Sequence, residues 1–474
     1  MTNPHSVEHL LQSANHLSEA DWQLATRYAP IIKFDAREPF LPAAVGYTIF
    51  RADAPSPSFP RQIELGNAAL AIEYAVWWDW DIQHLYELEH VWVYLDEAGQ
   101  VIRAEASWHG GYSEMTVDDT LPLTGDKLTI FSESGKHAFA PSQGRLNARA
   151  DKTKKACTRY AGTGGVWVTP LFKGIIDAKT PLADRLVHTY LERQAFEPAM
   201  EFSQIFQVPP KILVPWPTLF AWIPGRVAWW VSELERTILP EERRFLRIAH
   251  RGASAYAPEN TLTAIAKAAE LGADAVELDV HVSADGAPVI IHDAYLERST
   301  NGAGVVSKHT LAQLKELDAG EGETIPTLEE AIACCRTRRL GIYLELKSDL
   351  AAFAAADLIR KHKLYYQVIV TSFRPDWLIN LKAIEPRTIT SVLFSSVDID
   401  PVALARLVGA QYVHPAWEDW AAEPHKLLTP DWMNKVRAAG LGIITWHEER
   451  PSEIAALRKL GVDGICSNAP DLLI

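Results

Sequence analysis

Cysteine is scarce. Cys157, Cys334, Cys335 and Cys466 are the only four in 474 residues. Their spacing matches no zinc-binding pattern, and the adjacent pair Cys334–Cys335 suits a buried helix face better than a ligand set. A reducing compartment is expected. Basic charge is short as well: 46 lysines and arginines face 60 acids, a formal charge of −14, with the excess shared by both halves and no acidic tail. That argues against nucleic acid as a partner and gives only weak preference to cations such as a divalent metal. Met1–Leu11 lacks a basic region and an apolar core, so no signal peptide is expected. No apolar run reaches the about 20 residues of a membrane span. Ile212–Ile223 and Val227–Val231 are free of charge, but Pro215, Pro217, Pro224 and Arg226 interrupt them. Repeats, low-complexity tracts and a glycine-rich nucleotide loop are also missing, the last arguing against a dinucleotide-binding fold.

Apolar residues are abundant, at 48%, and the chain exceeds what one core usually holds, so two domains are expected. The composition shifts near Leu239-Pro240. Residues 1–239 read as a mostly-β domain with some helix. Tyr74–Trp80, His90–Leu95 and Val101–Ser107 are β-prone, and Asp96-Glu97-Ala98-Gly99 marks a turn between the last two. Eleven of the sixteen tryptophans fall here, which suits a core rather than a carbohydrate or lipid platform. The Trp- and Pro-rich stretch 209–239 reads as a linker packed against both domains. In the sharper reading Trp216, Trp222, Trp229 and Trp230 dip into a lipid surface, which adds a peripheral membrane contact to an otherwise cytoplasmic location.

From 240 to 474 the pattern changes to strand-like runs separated by amphipathic ones. The strands are Phe245–His250, Ala275–Val280, Gly341–Lys347, Val368–Phe373, Thr388–Leu393, Gln411–His414, Gly442–Trp446 and Gly464–Ser467. The helices between them include Thr261–Leu271, Thr327–Arg336 and Pro451–Leu460. Eight strands alternating with helices predict an α/β domain, a closed (β/α)₈ TIM-type barrel.

The chemistry gathers at the ends of these strands. His250-Arg251-Gly252 closes the first and Glu277-Leu278-Asp279 lies in the second. After Asp285-Gly286, a hairpin signal, an antiparallel return ends at His292-Asp293. With a two-residue turn, Asp279 lies opposite His292; a bulge shifts the pairing by one. Strand alternation puts Glu277 and Asp279 on one face, and likewise Glu345 and Lys347. Three carboxylates converging inside a barrel repel one another and lose hydration. An oxygen-liganded divalent cation, Mg²⁺ or Ca²⁺, resolves both problems; pairing with Arg251 and Lys347 is the alternative. His250 and His292 can serve as base and acid near neutral pH. Arg251 offers a fork matched to phosphate and Lys347 a charge for a phosphoryl oxygen. The chemistry is metal-assisted displacement at phosphorus.

These motifs, with Ala257-Pro258-Glu259-Asn260-Thr261, Arg298-Ser299-Thr300-Asn301-Gly302, Ile325-Pro326-Thr327-Leu328, Glu345-Leu346-Lys347 and Gly461-Val462-Asp463-Gly464, resemble the glycerophosphodiester phosphodiesterase family over residues 245–474. The resemblance implies a TIM-type barrel and a metal held by Glu277, Asp279 and Glu345. It further implies His250 and His292 as the acid/base pair and Arg251 and Lys347 on the phosphate. A cyclic phosphate intermediate, as in related lipid-cleaving barrels, is also implied. Glu259 and Asn260 are expected to shape the first loop and cap the following helix. Two stretches depart from the family: Trp446-His447-Glu448-Glu449 stands for Trp-Thr-Val-Asn, and Ser467-Asn468 for Thr-Asp or Asn-Asp. Both lie where leaving-group contacts are expected. Trp446 is a candidate rim residue for a substrate alkyl chain or headgroup, with core packing as its other role. In the first domain, Tyr28-Ala29-Pro30-Ile31-Ile32, Pro39-Phe40-Leu41-Pro42, Glu89-His90-Val91, His109-Gly110-Gly111 and Gly135-Lys136-His137-Ala138 resemble a β-rich family related to vacuolar sorting, which implies no activity. Glu89, His90, His109 and His137 are candidates for a second metal or hydrolytic site there, against scattered histidines. The expected function is hydrolysis of a glycerophosphodiester to a glycerol phosphate and an alcohol. The alternatives are a lysophospholipase D-like enzyme cleaving a lysolipid phosphodiester at a membrane, and a non-catalytic lipid- or polymer-binding module.

Overall fold

The computed structural model describes residues 4–13, 18–365 and 367–474. The chain divides into two compact units, one of Met1–Lys179 with Ala183–Leu239, the other of Pro240–Ile474 with Thr180–Leu182.

The first unit is sheet-rich, with two mixed sheets. The larger runs Leu213–Pro215, Ala44–Phe50, Leu70–Trp80, His84–Leu95, Val101–Trp108, Gly111–Glu114, with Gly165–Val166 added to the His84–Leu95 strand. The smaller joins Phe139–Ala140, Lys127–Ser132, Ile31–Phe34 and Gln204–Gln207, with Leu123–Thr124 beside the second of these. The central strands are buried on both faces: Trp77, Trp78 and Trp92 are fully enclosed.

The stretch 209–239 is not a linker. Leu213–Pro215 pairs in parallel with Val45–Tyr47, and Trp216–Thr237 is a 22-residue helix. Pro217 sits in its first turn, where no N–H is required. Pro224 removes only one interior bond, and tertiary packing outweighs that cost. Trp216, Leu219, Trp222, Ile223, Arg226 and Val227 form the buried face. Trp222 meets Trp77 and Trp230 meets Trp80, at 6.3 and 4.9 Å between ring centres. Arg226 makes two hydrogen bonds to Asp79, at 2.9 and 2.6 Å. Three of the four indoles proposed for a lipid surface are thus engaged by the unit itself. Among the described residues no helix is long and apolar enough to cross a membrane.

The second unit is the expected barrel. Its strands are β1 (Leu246–Ala249), β2 (Ala275–Val282), β3 (Pro288–Ile290), β4 (Gly341–Leu346), β5 (Val368–Ser372), β6 (Ile389–Phe394), β7 (Tyr412–Pro415), β8 (Gly442–Thr445) and β9 (Gly464–Ser467). Eight are parallel and close through β1 pairing with both β2 and β9. β3 is the antiparallel return on β2. Alternation sorts the side chains. Val276, Leu278, Val280, Leu344 and Leu346 pack outward against the helices, while Ile248, Ala275, Tyr343, Ile444 and Cys466 fill the barrel interior. Glu277, Asp279 and Glu345 share the inward face with Ala275 and Tyr343, above that apolar plug.

The β2–β3 register differs by one from the two-residue turn. Val280 faces Ile290, so Asp279 stands level with Ile291 rather than His292. The turn holds three residues, Ala284–Gly286, closed by Ser283 and Ala287. The Ser283 hydroxyl accepts the Ala287 N–H and donates to Asp285, and Gly286 adopts φ 85°. That is the longer hairpin loop with a left-handed glycine.

Candidate active site

β2 and β4 pair with Asp279 opposite Glu345 and Glu277 opposite Tyr343. The three acids are 0–2% exposed, and ligand oxygens from all three lie within 4.8 Å of one another. Glu277 Oε1 and Glu345 Oε2 are buried without a hydrogen-bond partner, an expensive condition for a carboxylate unless a cation completes it. The donor set, all carboxylate oxygen, fits a hard divalent ion.

The cations expected to bind phosphate line this cluster. Lys347 Nζ lies 2.6 Å from Glu345 and 3.2 Å from Asp279. The Arg251 N–H donates to Glu277 Oε2 at 2.9 Å, and its guanidinium reaches Glu259 at 3.0 Å and Asp279 at 3.6 Å. Arg251 Nε has no hydrogen bond. Burial raises the Glu277 carboxyl well above the usual range, with Asp279 and Glu345 adding to it. Burial lifts Glu345 too, to about 7, against the pull of Lys347. At Asp279 burial is outweighed by Lys347, His292 and Arg251, which hold it at about 2.

Two imidazoles flank the acids. His250 follows β1; its Nδ1 is 2.7 Å from Asn468 Oδ1, and its Nε2 is 3.9 Å from Glu277. Ser254 donates to the same Asn468 oxygen, which can only accept, so His250 carries its proton on Nδ1 and turns a bare Nε2 to the cluster. Burial, with Arg251 and His447, lowers its pKa to about 3. His292 donates from Nδ1 to Asp293 at 2.5 Å, and Arg298 holds both Asp293 and Glu259. Burial lowers His292 as well; Asp279 and Asp293 oppose the shift. His292 lies beyond the end of β3, so its direction is set by Asp293 and not by the pleat.

Trp446 is half-buried, its ring 5.4 Å from His250 and 4.8 Å from His414, so packing beside a site histidine is part of its role. One expectation fails. Asn260 and Glu259 do not cap the helix Leu262–Glu270; Thr261 does, accepting the Ala264 N–H. Asn260, in the left-handed region at φ 60°, instead donates to Asp279 at 2.8 Å. Asp293, Arg298, Asn468, His447 and Glu449 received no role from the sequence. His447 stacks on His250 at 4.9 Å and lies 3.4 Å from Glu449, which accepts the Asn468 N–H. The only hint was that three of these occupy the departures from the family pattern.

In the first unit the four candidate residues do not assemble. Glu89 accepts from Ser107, His109 lies 2.7 Å from Glu133, His137 lies 3.4 Å from Glu38, and His90 stacks on Trp92. Among the described residues, none of the four belongs to a group able to share one ion.

A sequence model described as the glycerophosphoryl diester phosphodiesterase family matches residues 250–472. The chain is 32% identical over 241 residues to a glycerophosphodiester phosphodiesterase of Caldanaerobacter subterraneus, covering 48% of this chain and 96% of that protein. It is 30% identical over 267 residues to the Bacillus subtilis glycerophosphodiester phosphodiesterase, covering 51% and 89%. Among solved structures it is similar to an Oleispira antarctica phosphodiesterase in complex with the product sn-glycerol-3-phosphate, at 31% identity, TM-score 0.44 and coverage of 48% and 94%. With relatives at 30–32% identity matched over 89–96% of their own length, the chain belongs to the glycerophosphodiester phosphodiesterase family and is a phosphoric diester hydrolase.

Proposed function

We propose that the chain cleaves a glycerophosphodiester to a glycerol phosphate and an alcohol, dependent on a divalent metal at Glu277, Asp279 and Glu345. The carrying observation is the pair of buried, partnerless carboxylate oxygens in a three-acid cluster between two oriented imidazoles. An inert scaffold would gain nothing from that desolvation, which weighs against a purely binding role. Mg²⁺ or Ca²⁺ there would withdraw charge from a phosphoryl oxygen.

The chain's own groups supply the rest. Arg251 and Lys347 bind the two non-bridging oxygens and orient phosphorus. His250, neutral and with Nε2 free, takes the proton of the attacking hydroxyl; where that is a glycerol hydroxyl, a water then opens the cyclic phosphate to the glycerol phosphate, and where it is water the glycerol phosphate forms directly. His292, steadied by Asp293, gives a proton to the departing alcohol oxygen as the P–O bond breaks. A bound phosphodiester anion favours the imidazolium His292 needs. The lysolipid variant loses its sequence support, since the tryptophans behind it are largely packed.

The test is release of alcohol from choline-, ethanolamine- and inositol-linked glycerophosphodiesters, beside lysolipids, with Mg²⁺ or Ca²⁺ and with chelator. His292→Ala should lose about 10²–10⁴-fold in kcat with an unchanged circular dichroism spectrum. Full turnover in the variant would end the assignment.

A further inference from the structure

The first unit buries a second cluster of ionisable side chains that phosphodiester cleavage does not use. Asp81 and His84 bound the turn between strands Leu70–Trp80 and His84–Leu95, and Glu87 and Glu89 lie farther along the second strand. His84 Nδ1 is 2.9 Å from the Tyr86 carbonyl. A carbonyl only accepts, so Nδ1 carries the proton and Nε2 of the neutral ring carries a lone pair. That Nε2 is 3.7 Å from Asp81 Oδ1 and 3.7 Å from Glu87 Oε2. These distances are too long for hydrogen bonds. His84 Nε2 thus faces two carboxylate oxygens, all three atoms within 4.8 Å of one another, and Asp81 Oδ1 also accepts the Gln83 N–H at 2.6 Å and Lys136 at 2.7 Å.

We propose that Asp81, His84 and Glu87 form a second divalent-metal site, for zinc or a similar first-row ion. Donors at 2.0–2.2 Å from a tetrahedral ion stand about 3.4 Å apart, so the two His84 distances need to close by only a few tenths of an ångström. One imidazole nitrogen with two carboxylate oxygens suits such an ion better than the all-oxygen set of the barrel does. The Nδ1–H to backbone carbonyl bond is the usual outer support of a metal-bound histidine.

One further observation points the same way. His137, next to Lys136 in the chain, is fully buried and its Nδ1 has no partner. Lys136 lies 2.7 Å from both Asp81 oxygens. With His84 and Glu87 side chains 12% and 18% exposed, the site is open to ions from solution. The rival account is that Lys136 alone neutralises the cluster.

The experiment uses the full chain carrying Glu277→Gln, Glu345→Gln and His425→Gln, which disables the barrel acids and the Glu423–His425–Glu453 group of the same unit. Equilibrium dialysis against Zn²⁺ and Co²⁺, with the visible spectrum of bound Co²⁺, reads the remaining site. One ion per chain is expected. Adding His84→Gln or Glu87→Gln should weaken it by more than the about 10–100-fold cost of losing an outer-shell partner, with the metal-free thermal transition retained as the check on folding. No bound ion in the barrel-disabled chain, or binding indifferent to both substitutions, assigns the cluster to the Lys136–Asp81 pair and overturns the proposal. The separate loss of an ion between the wild-type and barrel-disabled chains belongs to the barrel assignment.

Discussion

Replacing Glu345 with glutamine separates a metal ligand from a structural ion pair, because the two roles give opposite signs. The carboxyl is 2% exposed, and burial, opposed by Lys347 and assisted by Asp279, lifts its pKa from 4.5 to about 7. A folded-state pKa raised above the unfolded value means the native state prefers the protonated acid. The cost of ionising it is absent below pH 4.5, grows as pH rises and is complete above pH 7. A difference of about 2.5 units at 1.36 kcal/mol each is about 3 kcal/mol. Glutamine keeps the shape and removes the charge, while Lys347 keeps Asp279 at 3.2 Å. Glu345→Gln should therefore raise the barrel's melting temperature by roughly 6–12 °C in EDTA at pH 8, at about 2–4 °C per kcal/mol, and by much less at pH 5. Millimolar Mg²⁺ should stabilise the wild type and not the variant. Scanning calorimetry of the full chain in the four combinations of pH and metal measures all of this. If the substitution lowers the melting temperature in EDTA at pH 8, the Lys347–Glu345 pair is net stabilising and the case for a ligand cluster fails.

Three further outcomes are expected. Asp293→Ala removes the acceptor of the His292 Nδ1 proton and should lower kcat about 100-fold with little change in KM; steady-state kinetics with unchanged kcat would remove Asp293 from the site. Asn468→Asp sets a carboxylate against the His250 Nδ1–H. It should raise the His250 pKa and move the acid limb of the kcat/KM profile to higher pH by about one unit or more; an unmoved limb means His250 is not the base. Gly252→Ala introduces a Cβ 2.6 Å from Ala264 Cβ and 2.7 Å from its carbonyl carbon at φ 80°, and should destabilise the barrel by more than about 2 kcal/mol in urea unfolding.

What could be read from the residues depends on whether local alternation governs a position. The barrel strands are short apolar runs between helices, so their bounds and the shared inward face of Glu277, Asp279 and Glu345 follow from a period of two. The β2–β3 register slipped because the Ser283 hydroxyl, not a two-residue turn, closes the loop. Asn468 and His250 are 218 residues apart and meet only because β9 pairs with β1, a contact no local pattern carries. The helix Trp216–Thr237 was disguised by prolines whose cost its buried face outweighs. The Asp81–His84–Glu87 trio was hidden for a sharper reason. His84 and Glu87 are three apart in a strand, which by simple alternation puts them on opposite faces. Tyr86, at φ 58°, breaks that alternation and returns both side chains to one side, within 3.7 Å of each other. A bulky residue held in the left-handed region costs stability, so the strand spends conformational energy where the three donors converge. A Tyr86→Gly substitution relieves that conformation but removes a buried ring stacked on Trp77 at 4.8 Å, so it should preserve binding of Zn²⁺ in the barrel-disabled chain where the metal-free thermal transition is retained. Dialysis showing binding lost, with His84 and Glu87 intact, would mean that something other than this backbone turn brings the donors together.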